Sequence, residues 1–194
     1  GLSLTELATR TEQSVPTVYR VLTTLQTHGF VEIEEPGQLW HVGGGAFRVG
    51  SGFLRRTKII DRARQPMDRL MRATGETANL GVEHRDMVLF LAQVETHETI
   101  RAFFPPGTLG AMHVSGIGKA LLAWLPRERA RQMVAEQGLA RFTPQSLTEP
   151  ATLFADLEAT RKRGYAIDDQ ERAKGCAASR HRSSTLTQSR WRGC

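Results

Sequence analysis

Ser14-Val15-Pro16-Thr17-Val18-Tyr19-Arg20-Val21-Leu22-Thr23-Thr24-Leu25-Gln26-Thr27-His28-Gly29-Phe30-Val31-Glu32-Ile33-Glu34 is the stretch that decides the fold. Ser14 offers an N-cap oxygen, and Pro16 sits in the first turn, where its missing N–H costs nothing. Val18, Val21, Leu22 and Leu25 recur at i, i+3, i+4 and i+7 and predict one apolar helix face. Thr17, Tyr19, Arg20, Thr23 and Gln26 point elsewhere. Gly29 suits the left-handed position that ends a helix. Residues 30–34 alternate like a strand, Pro36-Gly37 makes a turn, and Leu39-Trp40-His41-Val42 returns. Upstream, Leu4, Leu7 and Ala8 have helical spacing, with Ser3 as N-cap and Glu6 at the capping-box position. Two helices, a short turn and a hairpin give the order of a winged helix-turn-helix. Such a unit lays its second helix in the major groove, so the predicted DNA-contacting set is Ser14, Pro16, Thr17, Tyr19, Arg20 and Thr23. The helix alone is equally compatible with a plain surface helix; the hairpin straight after it tips the reading. Glu32, Glu34 and Glu35 on the hairpin would repel phosphates, so contact should rest on Arg20 and the hydroxyls.

The chain has 194 residues, 40% hydrophobic and 24% charged, with a net charge of +6. That is enough for one large domain or two small ones, and it excludes a disordered acidic tail or a disulfide-stapled miniprotein. Two cysteines, Cys176 and Cys194, set no disulfide framework and point to a reducing, cytoplasmic setting. No apolar run is long enough to span a bilayer, so no membrane partner is expected. The charge is unevenly placed: +3 over residues 1–75, −3 over 76–171 and +6 over 172–194. The sum is therefore a poor nucleic-acid signature; the local excess near the helix-turn-helix is the relevant one.

Residues 47–74 read as a linker helix that Gly50, Gly52 or Pro66 would kink or divide. Its apolar side suits either a second subunit or an ordinary core. Beyond it, strands are predicted at 77–82, 87–94, 99–103 and 164–168, and helices at 118–125, 127–137 and 150–163. Consecutive strands joined by a short turn favour an antiparallel sheet with helices against it, an α+β unit. His113-Val114-Ser115-Gly116-Ile117-Gly118-Lys119-Ala120 is the most site-like loop. Its glycines permit close approach, and the following helix points N–H groups at it, so a carboxylate would fit. It is not a P-loop, and a plain glycine turn is the competing reading. Asp168 and Asp169 are adjacent and face opposite ways on a strand. The histidines lack metal-ligand spacing and no nucleophile–base pair stands out, so neither a metal, a cofactor nor an enzyme is expected. A carboxylate-processing enzyme or a protein-interaction module remains the alternative.

Taken together, Leu4-Thr5-Glu6-Leu7-Ala8, residues 18–25, Gly29-Phe30-Val31, residues 75–80, residues 112–123 and residues 161–169 resemble the IclR family of bacterial transcription regulators. The resemblance implies a winged helix-turn-helix over 1–46 (lacking the family's preceding helix), a linker helix over 47–74 and an effector-binding domain over 75–175. It also implies a homodimer or homotetramer that binds double-stranded operator DNA, mostly as a repressor. The effector would be a small organic acid such as glyoxylate or pyruvate. By position, the effector-binding residues are Ala102, Gly110, Gly116, Ile117 and Asp168. After Gly175 the pattern departs from the family: 176–194 has no apolar period and reads as an aberrant basic tail, neither strand nor helix. A one-base shift near codon 175, with permitted codons, turns this stretch into Met-Arg-Cys-Val-Ala-Ala-Pro-Val-Phe-Asp-Ala, the family's continuation. The expectation is therefore a frameshifted, truncated effector domain with an unpaired sheet edge and a weak or absent effector response, a non-functional copy at the extreme.

Overall fold

Ser3 and Ser14 start the first two helices as their spacing predicts. In the computed structural model, which describes residues 1–95, 104–173, 177–182 and 187–192, Ser3 and Glu6 form a capping box at the head of α1 (Leu4–Thr11). Ser14 Oγ accepts the Thr17 amide at the head of α2 (Val15–Thr27). Gly29 follows at φ +68°, a region that a side chain would strain. β1 (Val31–Glu34) and β2 (Leu39–Val42) pair antiparallel as the wing, and Leu2 bridges to Trp40. Ala8, Val18, Leu22 and Trp40 form the core of this unit. The predicted apolar face of α2 is only half used, because Val21 stays 53% and Leu25 36% exposed. An eight-residue α1 and a short hairpin cover only the middle of the stripe.

The long helical pattern divides, but not at the expected residues. Lys58 adopts φ +46° between α3 (Gly44–Thr57) and α4 (Ile59–Thr74), and the chain separates there into two units, Gly1–Lys58 and Ile59–Cys194. α3 runs through Gly50 and Gly52, and α4 runs through Pro66. The single linker helix over 47–74 is thus corrected to two helices. In α4, Ala63 and Met67 are fully buried and the helix packs on the sheet strands. That burial outweighs the one hydrogen bond that Pro66 removes. α4 is a core helix.

The second unit opens with the hairpin β3 (Ala78–His84) and β4 (Met87–Val94). Arg85 and Asp86 both take positive φ, the geometry of a two-residue turn that matches strand twist. The strand predicted at 99–103, including Ala102, lies outside the described residues. β5 (Leu109–Ala111) has three residues, too few to leave a pattern in the sequence. α5 (Gly116–Trp124), α6 (Arg127–Gln137), α7 (Pro150–Arg163) and β6 (Tyr165–Asp169) follow, within two residues of their predicted bounds. Residues 77–81 are buried without a break, so both faces of β3 are covered, and α4 and α5 both pack against it.

The tail corrects a stronger expectation. Ala177–Arg182 (β7) and Thr187–Arg192 (β8) are strands, and the six-stranded antiparallel sheet has the order β5-β4-β3-β8-β7-β6. β8 pairs with β3 and β7 with β6, so β3 keeps an inner partner. Ladder hydrogen bonds use backbone groups alone, so a stretch without proline or an apolar period can still fill the gap between two waiting strands.

Candidate functional site

The outward face of α2 is shaped by what its own hydroxyls do. Thr23, Thr24 and Thr27 each donate to the carbonyl one turn back, at 2.8–2.9 Å. Ser14 and Thr17 hydroxyls hydrogen-bond each other at 2.8 Å. Thr23, Thr24 and Thr27 thus spend their protons within the helix, while one hydroxyl of the Ser14–Thr17 pair donates to the other and the second keeps its proton. Arg20 and Tyr19 are exposed, and among the described residues neither side chain has a hydrogen-bond or ion-pair partner. The acidic wing also resolves. Glu32 Oε1 accepts the Gly44 amide at 3.1 Å and so caps α3. Glu34 meets His41 at 3.0 Å. Two of the three wing acids are thus tied up inside the unit.

In the second unit, Ser115 caps α5 by accepting the Gly118 amide at 2.9 Å. The loop before it doubles back so tightly that a methyl group at Gly118 would lie 2.1 Å from the Met112 carbonyl oxygen. The close approach that glycine permits here is to Met112. Ile117 belongs to the core with Val88, Phe90 and Leu122. Any ligand held by this turn would meet its backbone. Gly116 is buried at the same turn, and α5 packs against β6, which carries Asp168. Gly110, on β5, faces the Phe90 ring and the Arg172 guanidinium.

Behind the turn lies an ionic cluster that the spacing does not reveal. Lys119 is 1% exposed, with Nζ 2.6 Å from Glu171 Oε1 and 3.0 Å from Asp156 Oδ2. Asp156 also meets Arg163 at 3.1 Å. Asp168 Oδ1 accepts the Glu171 amide at 2.9 Å. Burial pushes Glu171 up to about 7 despite Lys119, and Asp168 up to about 6 despite that amide and Lys119. Both acids bind protons more tightly folded than unfolded. Their contribution is thus complete below the ordinary carboxylate pKa and declines as pH rises through about 6 to 7. The denaturation midpoint of Glu171→Gln should consequently fall less between pH 5 and pH 8 than that of the wild type; equal slopes would refute the assignment. A lysine inside the apolar run Ile117–Leu122 was the one available signal for this cluster.

A separate cleft of about 80 Å³ lies among β5, α5 and α6, lined by Met112, His113, Met133 and Leu139. It includes none of the predicted effector residues. His113 is a packing histidine there: Nε2 is 2.9 Å from the Ala140 carbonyl, and burial holds its pKa down. Among the described residues no group of three or more metal-ligating side chains occurs, and no helix is long and apolar enough to cross a membrane.

Two family models match the chain: the IclR helix-turn-helix domain over residues 1–35 and the bacterial transcriptional regulator IclR C-terminal domain over 51–180. The chain is 55% identical over 175 residues to the HTH-type transcriptional regulator BhcR of Paracoccus denitrificans, covering 90% of this chain and 63% of that protein. It is 39% identical over 184 residues to the acetate operon repressor of Salmonella typhimurium, covering 92% and 67%. Among solved structures, an IclR homolog complexed with 4-hydroxybenzoate, from Microbacterium hydrocarbonoxydans, superposes with a TM-score of 0.82 at 22% identity, over 99% of this chain and 81% of that one. The relatives are named regulators and repressors, and none of these names is that of an enzyme.

Proposed function

The chain belongs to the IclR family of bacterial transcriptional regulators, and we propose that it binds operator DNA through α2 and the wing and is released by a small organic acid. The observation that carries the DNA reading is Arg20. It stands exposed on the second helix of a capped helix-turn-helix, with its guanidinium uncommitted among the described residues. An arginine so placed can take a guanine edge or a phosphate. Tyr19 supplies a second polar group, Pro16 stands at the exposed start of α2, and Ser14 with Thr17 holds the helix head that would approach the backbone.

Repression, rather than activation, is supported by the name of the Salmonella relative. An acid effector is supported by the Gly116 turn at the head of α5 and by the hydroxybenzoate held by the structural relative. A two-carbon or three-carbon keto acid of the glyoxylate or pyruvate kind suits a turn whose side chains are directed into the core. Assembly as a dimer or tetramer is supported by Val42, Phe47 and Val49, which leave apolar surface open on the first unit. A gel shift with the DNA upstream of the chain's own gene tests the reading. The wild type should retard that fragment and Arg20→Ala should not; a wild type that leaves it unshifted sinks the proposal.

A further inference from the structure

Arg172 follows β6 at the edge of the ionic cluster, yet it takes no part in the ion pairs there. Its guanidinium carbon lies 5.6 Å from the centre of the Phe104 ring and 5.6 Å from that of Phe142. Phe104 in turn stacks on Phe90, with ring centres 4.5 Å apart and planes 7° from parallel. A guanidinium within about 6 Å of two ring centres is drawn to them by cation–π attraction, which uses none of its N–H groups and leaves that N–H edge to hydrogen-bond. Among the described residues that edge has no acceptor, and the side chain is only partly exposed. Half-buried N–H donors without an acceptor are costly, so the edge calls for an anion or water. Beside it is Gly110: a β-carbon there would stand 3.7 Å from an Arg172 terminal nitrogen, and the glycine supplies none.

We propose that Arg172 is the residue that takes the effector's carboxylate, in a two-pronged pair over Gly110, and so selects a charged acid over its neutral analogues. This rests on the reading that the second unit binds a small acid, and it adds the group that would recognise the charge. Fork-to-fork geometry is what an arginine fixed by two rings can offer and a lysine cannot.

The test is calorimetric titration of the full chain with pyruvate, glyoxylate and the uncharged pyruvamide, for the wild type, Arg172→Gln and Arg172→Lys. The wild type should bind one or both acids and discriminate against the amide. Arg172→Gln should weaken acid binding roughly ten- to a hundredfold, the range of a charge-assisted hydrogen-bonded pair, and should leave the amide unchanged. Arg172→Lys should recover only part of the loss, since charge returns without the fork. Three outcomes overturn the proposal. If Arg172→Gln binds the acids as the wild type does, Arg172 is not the recognising group, and the acid-binding reading survives. If acid and amide lose affinity equally, the residue only supports the fold. If the wild type binds neither acid, the acid-binding reading falls with it.

Discussion

Lys119→Met should lower the unfolding free energy of the sheet-containing unit by about 3–5 kcal/mol, the usual cost of removing one partner from a buried ion pair. Methionine nearly preserves the volume, so the loss isolates the charge. Without the ammonium, Glu171 has no cation among the described residues, while Asp156 keeps Arg163. Lowering the pH to 5 protonates Glu171 more fully and should shrink the deficit, because its pKa is already pushed up to about 7. Urea denaturation at pH 8 and pH 5 reads both effects. A deficit below about 1 kcal/mol at pH 8, or one that grows on acidification, would show that Lys119 does not hold this cluster.

Gly118→Ala is the second large effect, and its sign is the point. Within helices, replacing glycine by alanine ordinarily stabilises by roughly 0.5–1 kcal/mol. At Gly118 the added carbon would meet the Met112 carbonyl oxygen at 2.1 Å and its Cα at 2.4 Å. Those are backbone atoms, so no rotamer change relieves the clash. A loss of about 3 kcal/mol, the upper end of overpacking, is expected. Gly50→Ala, in α3 with nothing within 4 Å of the new carbon, is the control and should stabilise. Thermal melts of the two variants should move in opposite directions; a shared direction would contradict the tight turn before α5.

Where local chemistry decides, the residues foretold the structure. Ser3, Ser14 and Gly29 mark helix ends, and the short turn expected between residues 82 and 87 narrows to Arg85-Asp86 in the structure, because capping and turn geometry depend on side chains within a few positions. The divided linker was different. Pro66 and the glycines were the obvious breakers, yet the break falls at Lys58, because the burial of Ala63 and Met67 lies outside the reach of local propensity. The tail strands were illegible for a related reason: pairing between β3 and β6 uses backbone groups, and 177–192 carries no alternation to announce it. For the second unit, the resemblance named Gly110, Gly116 and Asp168, which lie on β5, at the head of α5 and on β6. Lys119, Glu171 and Arg172 could not be assigned roles, because their partners lie many residues away along the chain. Ile117 occupies the expected turn, and its packing into the core with Val88 and Phe90 depends on residues far along the chain.

The central claim is sequence-specific DNA recognition by α2, and fluorescence anisotropy tests it most directly. The same protein is titrated into DNA from upstream of its own gene and into a scrambled duplex of equal length and composition, at one fixed salt concentration. Specific regulators favour their sites by roughly a thousandfold or more. The wild type should show such a ratio, and Arg20→Ala should reduce it by at least tenfold while keeping most of the salt-dependent, non-specific binding. Equal wild-type affinity for the two duplexes, or a ratio that Arg20→Ala leaves intact, would contradict the account.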